Sequence, residues 1–319
     1  MKPLPSAIPG SHMVSAEEVV VARGRRIVLS GVDLQLDAGL HAVIGPNGSG
    51  KSTLLGALCG LLRVRSGAVR IGGRDPRRHP GVFGAVGIVP TMVVGQPHET
   101  AADVVRHAAL LGGVAEPDRA VCSSLLAVGV EPDDRTPVAE VSLGTSRRIA
   151  VASSLVTGPS VLFADEPLAS IDPSGRQSLR DLFVELASQG RCVIITAHDL
   201  REAAVADQVV LLEGGRVVAL GAPADVGRQL DSGSVVVLEA TRCLDLSAAL
   251  VASGLVTAVD VTESGRIRVV TTDLDEMAGS LAPIARDVGS TLRSVEVISA
   301  EADLTGRDPA SRRGEWGAS

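Results

Sequence analysis

Two clusters of residues carry chemistry that a packed core would not need. Gly45-Pro46-Asn47-Gly48-Ser49-Gly50-Lys51-Ser52-Thr53 has the spacing G-x-x-x-x-G-K-[ST]. Glycines at those positions let backbone amides turn inward around phosphate oxygens, and a helix beginning near Lys51 points its positive end at the same place. Lys51 supplies a compact charge for the β- and γ-phosphates, where a wide guanidinium would not fit the loop. Of 30 basic side chains only Lys2 and Lys51 are lysines, so this one is placed for a purpose. The Ser52 hydroxyl is positioned to ligate Mg²⁺. The second cluster is Val161-Leu162-Phe163-Ala164-Asp165-Glu166-Pro167, an apolar strand ending in two adjacent carboxylates. Ligands of open α/β sheets bind at such strand ends. Asp165 reads as holding Mg²⁺ through water and Glu166 as polarising an attacking water. Together the clusters spell nucleoside triphosphate hydrolysis.

Such residues need a scaffold, and the flanking pattern provides one. His41–Ile44 reads as a strand before the glycine-rich loop and Leu54–Leu62 as a helix after it. Val161–Ala164 and Val193–Thr196 are apolar throughout, as strands covered on both faces should be. Between them Leu179, Leu182, Phe183 and Leu186 recur at i, i+3, i+4 and i+7, one buried face of a helix over Gly175–Ala187. Asp172 before Pro173 suits the N-cap of that helix, with Pro at its first position. Val209–Leu212 and Val217–Leu220 flank Gly214-Gly215 as a closing hairpin. From Glu17 to Ala224 the alternation predicts an α/β domain with a largely parallel sheet. Beyond it, strands at Ser234–Glu239, Val256–Val261, Ile267–Thr271 and Ser294–Ile298 and helices at Leu246–Ala252 and Leu274–Val288 predict a small α+β unit.

Composition bounds the partners. In 319 residues with 45% hydrophobic content there is enough apolar material for two cores. A net charge of −7 without a basic run argues against wrapping nucleic acid or lying flat on anionic lipid. The aromatics are Phe83, Phe163, Phe183 and Trp316, so the core is aliphatic and stacking on a ligand must use another group. No apolar run is long enough to span a bilayer. The four cysteines lack metal-like spacing, and no secretory signal opens the chain, so a reducing cytosol is expected.

The glycine-rich loop, Asp165-Glu166-Pro167, Ala169-Ser170-Ile171-Asp172-Pro173 and Thr196-Ala197-His198-Asp199 occur in one family's order and spacing. On these motifs Glu17–Gly221 resembles the ATP-binding subunit of ABC transporters, with an overall layout similar to subunits of drug- and antibiotic-exporting systems. The resemblance implies a P-loop NTPase domain at 16–224, its mostly parallel sheet accompanied by N-terminal antiparallel strands and by a helical subdomain at about 92–150. An accessory α+β domain would follow at 225–307, between a disordered leader at 1–15 and a disordered tail at 308–319. ATP and Mg²⁺ are the implied cofactors. The implied partners are a separate integral membrane permease, gripped by the helical subdomain, and a second ATP-binding subunit, identical or different. The permease would hold the chain at the cytoplasmic face of the membrane. By the same resemblance Lys51, Glu166 and His198 are catalytic, His198 as the switch histidine reaching the γ-phosphate. Asp172 would also couple the two ATP sites of the dimer.

Three positions depart from the family pattern. The signature Leu-Ser-Gly-Gly-Gln is here Val141-Ser142-Leu143-Gly144-Thr145. Ser142 and Gly144, which would meet the γ-phosphate across the dimer, remain, whereas Leu143 is bulky and Thr145 short. Thr91 follows Ile88-Val89-Pro90 where the family has a metal-contacting Gln. Arg23 stands where an aromatic stacks on adenine, and a guanidinium plane can stack on a base. Two readings compete: an ATPase driving an export permease, and a regulatory subunit that clamps ATP with weak turnover. A soluble ATPase acting on ribosomes or DNA ranks below both, given one P-loop, no long heptad insert and an acidic balance.

Overall fold

The computed structural model describes residues 11–90, 95–231, 234–256, 258–261, 266–271 and 274–299. The fold opens with two long antiparallel strands, β1 (Val14–Arg23) and β2 (Arg26–Leu36), turning at Gly24. β3 (Gly39–Ile44) follows with all six residues buried and delivers the chain to the glycine-rich loop and α1 (Lys51–Leu58). β4 (Ser66–Ile71) returns to pair antiparallel with β1. β5 (Val86–Val89) then enters a second sheet.

A helical lobe comes next: α2 (Ala101–Leu111), α3 (Pro117–Ala127) and α4 (Leu143–Leu155). β6 (Val161–Ala164), α5 (Pro173–Ser188) and β7 (Cys192–Thr196) form a parallel crossover. The antiparallel hairpin of β8 (Gln208–Glu213) and β9 (Arg216–Gly221) closes the sheet. Its order is β5-β6-β7-β3-β8-β9, parallel except for β9. A strand, glycine-rich loop and helix set in a mostly parallel sheet make this a P-loop NTPase fold.

Packing explains the order. α1 lies between the antiparallel sheet and the mixed sheet, and Leu54 and Leu58 share one core with Val19, Leu29, Leu36, Phe163 and Ile194. α5 covers the opposite face with the four side chains that its periodicity marks out, Leu179, Leu182, Phe183 and Leu186. Burial of each such side chain is worth about 1.5–3 kcal/mol, so the strands beneath them need no polar face.

Contacts divide the chain into two compact units, the first running to Pro223 except for Asp199–Arg201 and the second containing those three residues and everything from Ala224. In the second, after α6 (Pro223–Asp231), the elements run β10 (Ser234–Ala240), α7 (Cys243–Ser253), β11 (Ala258–Val261), β12 (Arg266–Thr271), α8 (Leu274–Asp287) and β13 (Leu292–Ser299). The antiparallel sheet order β11-β12-β10-β13 makes this a split β-α-β unit. Val236, Leu238, Ile267 and Val269 of its strands pack with Leu246 and Leu250 of α7 and Met277 and Leu281 of α8.

Two expectations need correction. The leader does not extend to residue 15, because Val14 opens β1 fully buried and His12 pairs with Asp37 at 2.8 Å. α1 stops at Leu58 rather than Leu62: Gly60 takes a left-handed φ of 77°, and Leu62 folds back onto Gly56, which produces the apolar repeat without a helix. α4 itself runs on to Leu155, its last turns against β5 and β6 of the sheet. Residues 1–10 of the leader, the last stretch of the accessory domain and the tail at 308–319 lie outside the described residues.

Candidate active site

The glycine-rich loop is shaped by close approaches that only glycine permits. At Gly45, φ 151°, an added Cβ would lie 2.1 Å from the Leu212 carbonyl oxygen, so β8 fixes the first residue of the loop. Gly50, φ 107°, is the N-cap of α1 and turns the chain into the helix. The loop is propped from the far side as well: the Gly215 N–H donates to the Ser49 carbonyl at 3.2 Å, and the Ser30 N–H donates to the Gly215 carbonyl at 2.9 Å. The Gly214-Gly215 turn, legible in the sequence only as a hairpin, thus bears on both the loop and β2.

Lys51 is buried at the first turn of α1, its Nζ donating to the carbonyls of Gly45 at 2.7 Å and Pro46 at 3.3 Å. Burial pulls its pKa below the ordinary lysine value, while the charges of Glu166 and Asp165 work in the opposite direction. The Ser49 hydroxyl is buried with no partner among the described residues. A cleft of about 490 Å³ opens over the loop, walled by Asn47, Gly48, Gly50, Lys51, Ser52 and Thr53. Arg23, Arg26, Ile27 and Val28 from the β1–β2 turn, Gly214-Gly215 and Glu166 complete it. Arg23 lines the cleft, and so does Ile27, an apolar residue 52% exposed.

The carboxylates arrive from β6. Glu166 leaves the strand with φ 47°, a left-handed conformation unusual for glutamate, which turns its side chain out of the strand direction. Its Oε2 lies 3.3 Å from His198 Nε2, with both side chains partly exposed. The Thr196 hydroxyl accepts the Glu166 N–H at 2.7 Å and donates to Asp165 Oδ1 at 2.6 Å. Thr196 belongs to the Thr196-Ala197-His198-Asp199 motif, but its spacing alone assigns it no role, because its partners Glu166 and Asp165 lie 30 and 31 residues earlier in the chain.

Ser142, Leu143, Gly144, Thr145 and Asp172 are not among the walls of this cleft. Ser142 caps α4, its Oγ accepting the Thr145 N–H at 3.1 Å, and Arg148 bridges the Thr145 hydroxyl and the Gly129 carbonyl. Leu143 is 70% exposed. Gly144 presses on the next loop, where an added Cβ would meet the Ser170 carbonyl at 3.2 Å. Asp172 caps α5 by accepting the Gly175 N–H at 3.0 Å. The Ser174 hydroxyl, then that N–H, hold its carboxyl below the usual range. Thr91 lies outside the described residues.

The loop fits a triphosphate: among the described residues, a buried ammonium held by carbonyls, a buried hydroxyl without a partner and glycines that keep the backbone accessible. No group of three or more His, Cys, Asp or Glu side chains forms a metal cage among the described residues. Hard oxygens from Ser52 and Asp165 suit a Mg²⁺ that takes most of its ligands from phosphate and water.

A family model described as "ABC transporter" matches residues 29–169. The lantibiotic transport ATP-binding protein SrtF of Streptococcus pyogenes is 31% identical over 65% of this chain and 89% of its own length. The hemin import ATP-binding protein HmuV of Streptomyces coelicolor is 35% identical over 71% of this chain and 84% of its own length. Among solved structures, one described as the ATP-binding subunit of an ABC transporter superposes with a TM-score of 0.63 at 26% identity, covering 68% of this chain and 92% of that one.

Proposed function

From a chain that belongs to the ABC transporter family of ATP-binding subunits, we propose an enzyme that hydrolyses ATP to drive a separate export permease. The observation that carries the proposal is that Glu166, a wall of the cleft above the Lys51 loop, pairs with His198 at 3.3 Å. In this reading Lys51 and the loop amides hold the β- and γ-phosphates, and Arg23 lies against the base. Glu166 orients and polarises the attacking water, and His198 steadies Glu166 and reaches the γ-phosphate. Ser52 directly and Asp165 through water would hold a Mg²⁺, which would supply charge neutralisation to the phosphates. Ser142 and Gly144, absent from their own cleft, complete the site of a second subunit, and Asp172 lies between the two sites.

No helix among the described residues is long and apolar enough to cross a membrane. Attachment at the cytoplasmic face is therefore assigned to the permease. An apolar groove of about 360 Å³ between β5, α2 and α4, lined by Val104, Leu111 and Ala150 among others, is a suitable seat for it. Export rests on the layout, an ATP-binding unit followed by a small α+β unit, since the named relatives include both a lantibiotic transporter and a hemin importer.

The test is Glu166→Gln. Turnover falls about a hundredfold or more while nucleotide binding persists, because one preorganised group at the transition state is worth about 3 kcal/mol. Unchanged hydrolysis would remove Glu166 from the mechanism. The second reading, a subunit that clamps ATP with weak turnover, draws on the exposed Leu143 in the signature. Single-turnover hydrolysis separates the two: nucleotide-driven dimerisation with no phosphate released favours the clamp.

A further inference from the structure

We propose that Thr196 is a positioning residue for hydrolysis, its hydroxyl fixing both the Asp165 carboxylate and the backbone from which Glu166 projects. The inference rests on the reading of Asp165 and Glu166 given above. Thr196 is the last residue of β7 and is 1% exposed. The parallel register that sets Ala164 beside Ile195 brings Thr196 next to Asp165 at the following step. On the other side Thr196 registers with Val43, two residues before the loop begins. One residue thus stands between the strand carrying the carboxylates and the strand carrying the phosphate loop.

The hydroxyl uses both of its functions. It donates to Asp165 Oδ1 at 2.6 Å, which leaves the other carboxylate oxygen available to metal-bound water. It accepts the Glu166 N–H at 2.7 Å, a donor that the left-handed turn at Glu166 removes from the strand ladder. A buried amide without a partner is costly, so this bond holds the turn in place. Threonine suits the task because its branched Cβ restricts χ1 and aims the oxygen.

The experiment compares full-length Thr196→Val, Thr196→Ser and Glu166→Gln. Each is measured for steady-state ATP hydrolysis and for affinity toward a fluorescent ATP analogue, with Mg²⁺ and with EDTA. Valine keeps the shape and removes the hydroxyl, so kcat falls about 30- to 100-fold, as for loss of a preorganised group. Affinity in EDTA stays within about twofold of wild type, while affinity with Mg²⁺ weakens several-fold, a split that general loosening of the fold would not produce. Serine restores most of the turnover. If Thr196→Val hydrolyses within twofold of wild type while Glu166→Gln is inactive, the inference is wrong and the proposed function stands. A serine variant as slow as valine, or equal loss of affinity in both conditions, assigns Thr196 to packing and likewise overturns the inference. Full activity in Glu166→Gln takes down the functional reading itself, and the role of Thr196 with it.

Discussion

At the scale of single residues, the site divides into groups whose chemistry is written locally and groups that only folding assembles. Lys51, Ser52, Asp165 and Glu166 stood out because a glycine-rich loop and a paired carboxylate are contiguous in the chain. Thr196 and Gly215 did not, since each acts on a segment many residues away and neither type is rare. Leu143 is where residue chemistry and family pattern disagree most. It opens α4 with its side chain 70% exposed, and Thr145 turns its hydroxyl toward Ser142 and Arg148 rather than outward to a partner. Replacing both, Leu143→Gly with Thr145→Gln, is expected to raise steady-state ATP turnover about tenfold by restoring a contact to the transferring phosphate. The affinity of the Lys51 loop for ATP should stay the same, as read by equilibrium binding. Equal turnover in the variant would mean that the signature does not limit the rate.

Elements were legible where a periodic face met a clear cap. α5 matches its pattern because it starts at a side-chain cap, Asp172, and buries one stripe, and α2 is built the same way behind Thr100. α1 was overextended because Leu62 returns to its own helix, a contact that imitates periodicity. The cap of α2 is reciprocal: the Thr100 hydroxyl accepts the Asp103 N–H while the Asp103 carboxylate accepts the Thr100 N–H. Thr100→Ala should cost about 1 kcal/mol in urea unfolding at neutral pH. The hydroxyl and N–H of Thr100 hold the Asp103 carboxyl below its ordinary pKa. A depressed carboxylate contributes stability above the unfolded value of about 3.9, and loses it as pH falls through the folded value. The difference between wild type and Thr100→Ala should therefore shrink below about pH 4. A gap that stays constant down to pH 3 would place the cap's strength elsewhere.

For the whole molecule, periodic patterns mark β3 and α1, the β6–α5–β7 crossover, the β8–β9 hairpin and the elements from β10 to β13, but not which of the parallel strands become neighbours. Nothing in the residues around His41 announces that β3 will lie between β7 and β8. The two units have separate cores, one around α1 and the mixed sheet and one around α7 and α8. The nucleotide cleft is built wholly from the first unit. Calorimetry should resolve two transitions, and ATP with Mg²⁺ at about a hundred times Kd should stabilise one of them by about 2.7 kcal/mol while leaving the other in place. A single transition that shifts as a whole would contradict this. The placement of β3 also bears on how the protein is made. During synthesis, the strand leading to the phosphate loop leaves the ribosome long before either of its flanking strands exists, and the glycine turn that props the loop emerges later still. A nascent chain that stops short of β7 therefore carries the whole loop motif yet exposes an unpaired apolar edge, a species for chaperones rather than for nucleotide.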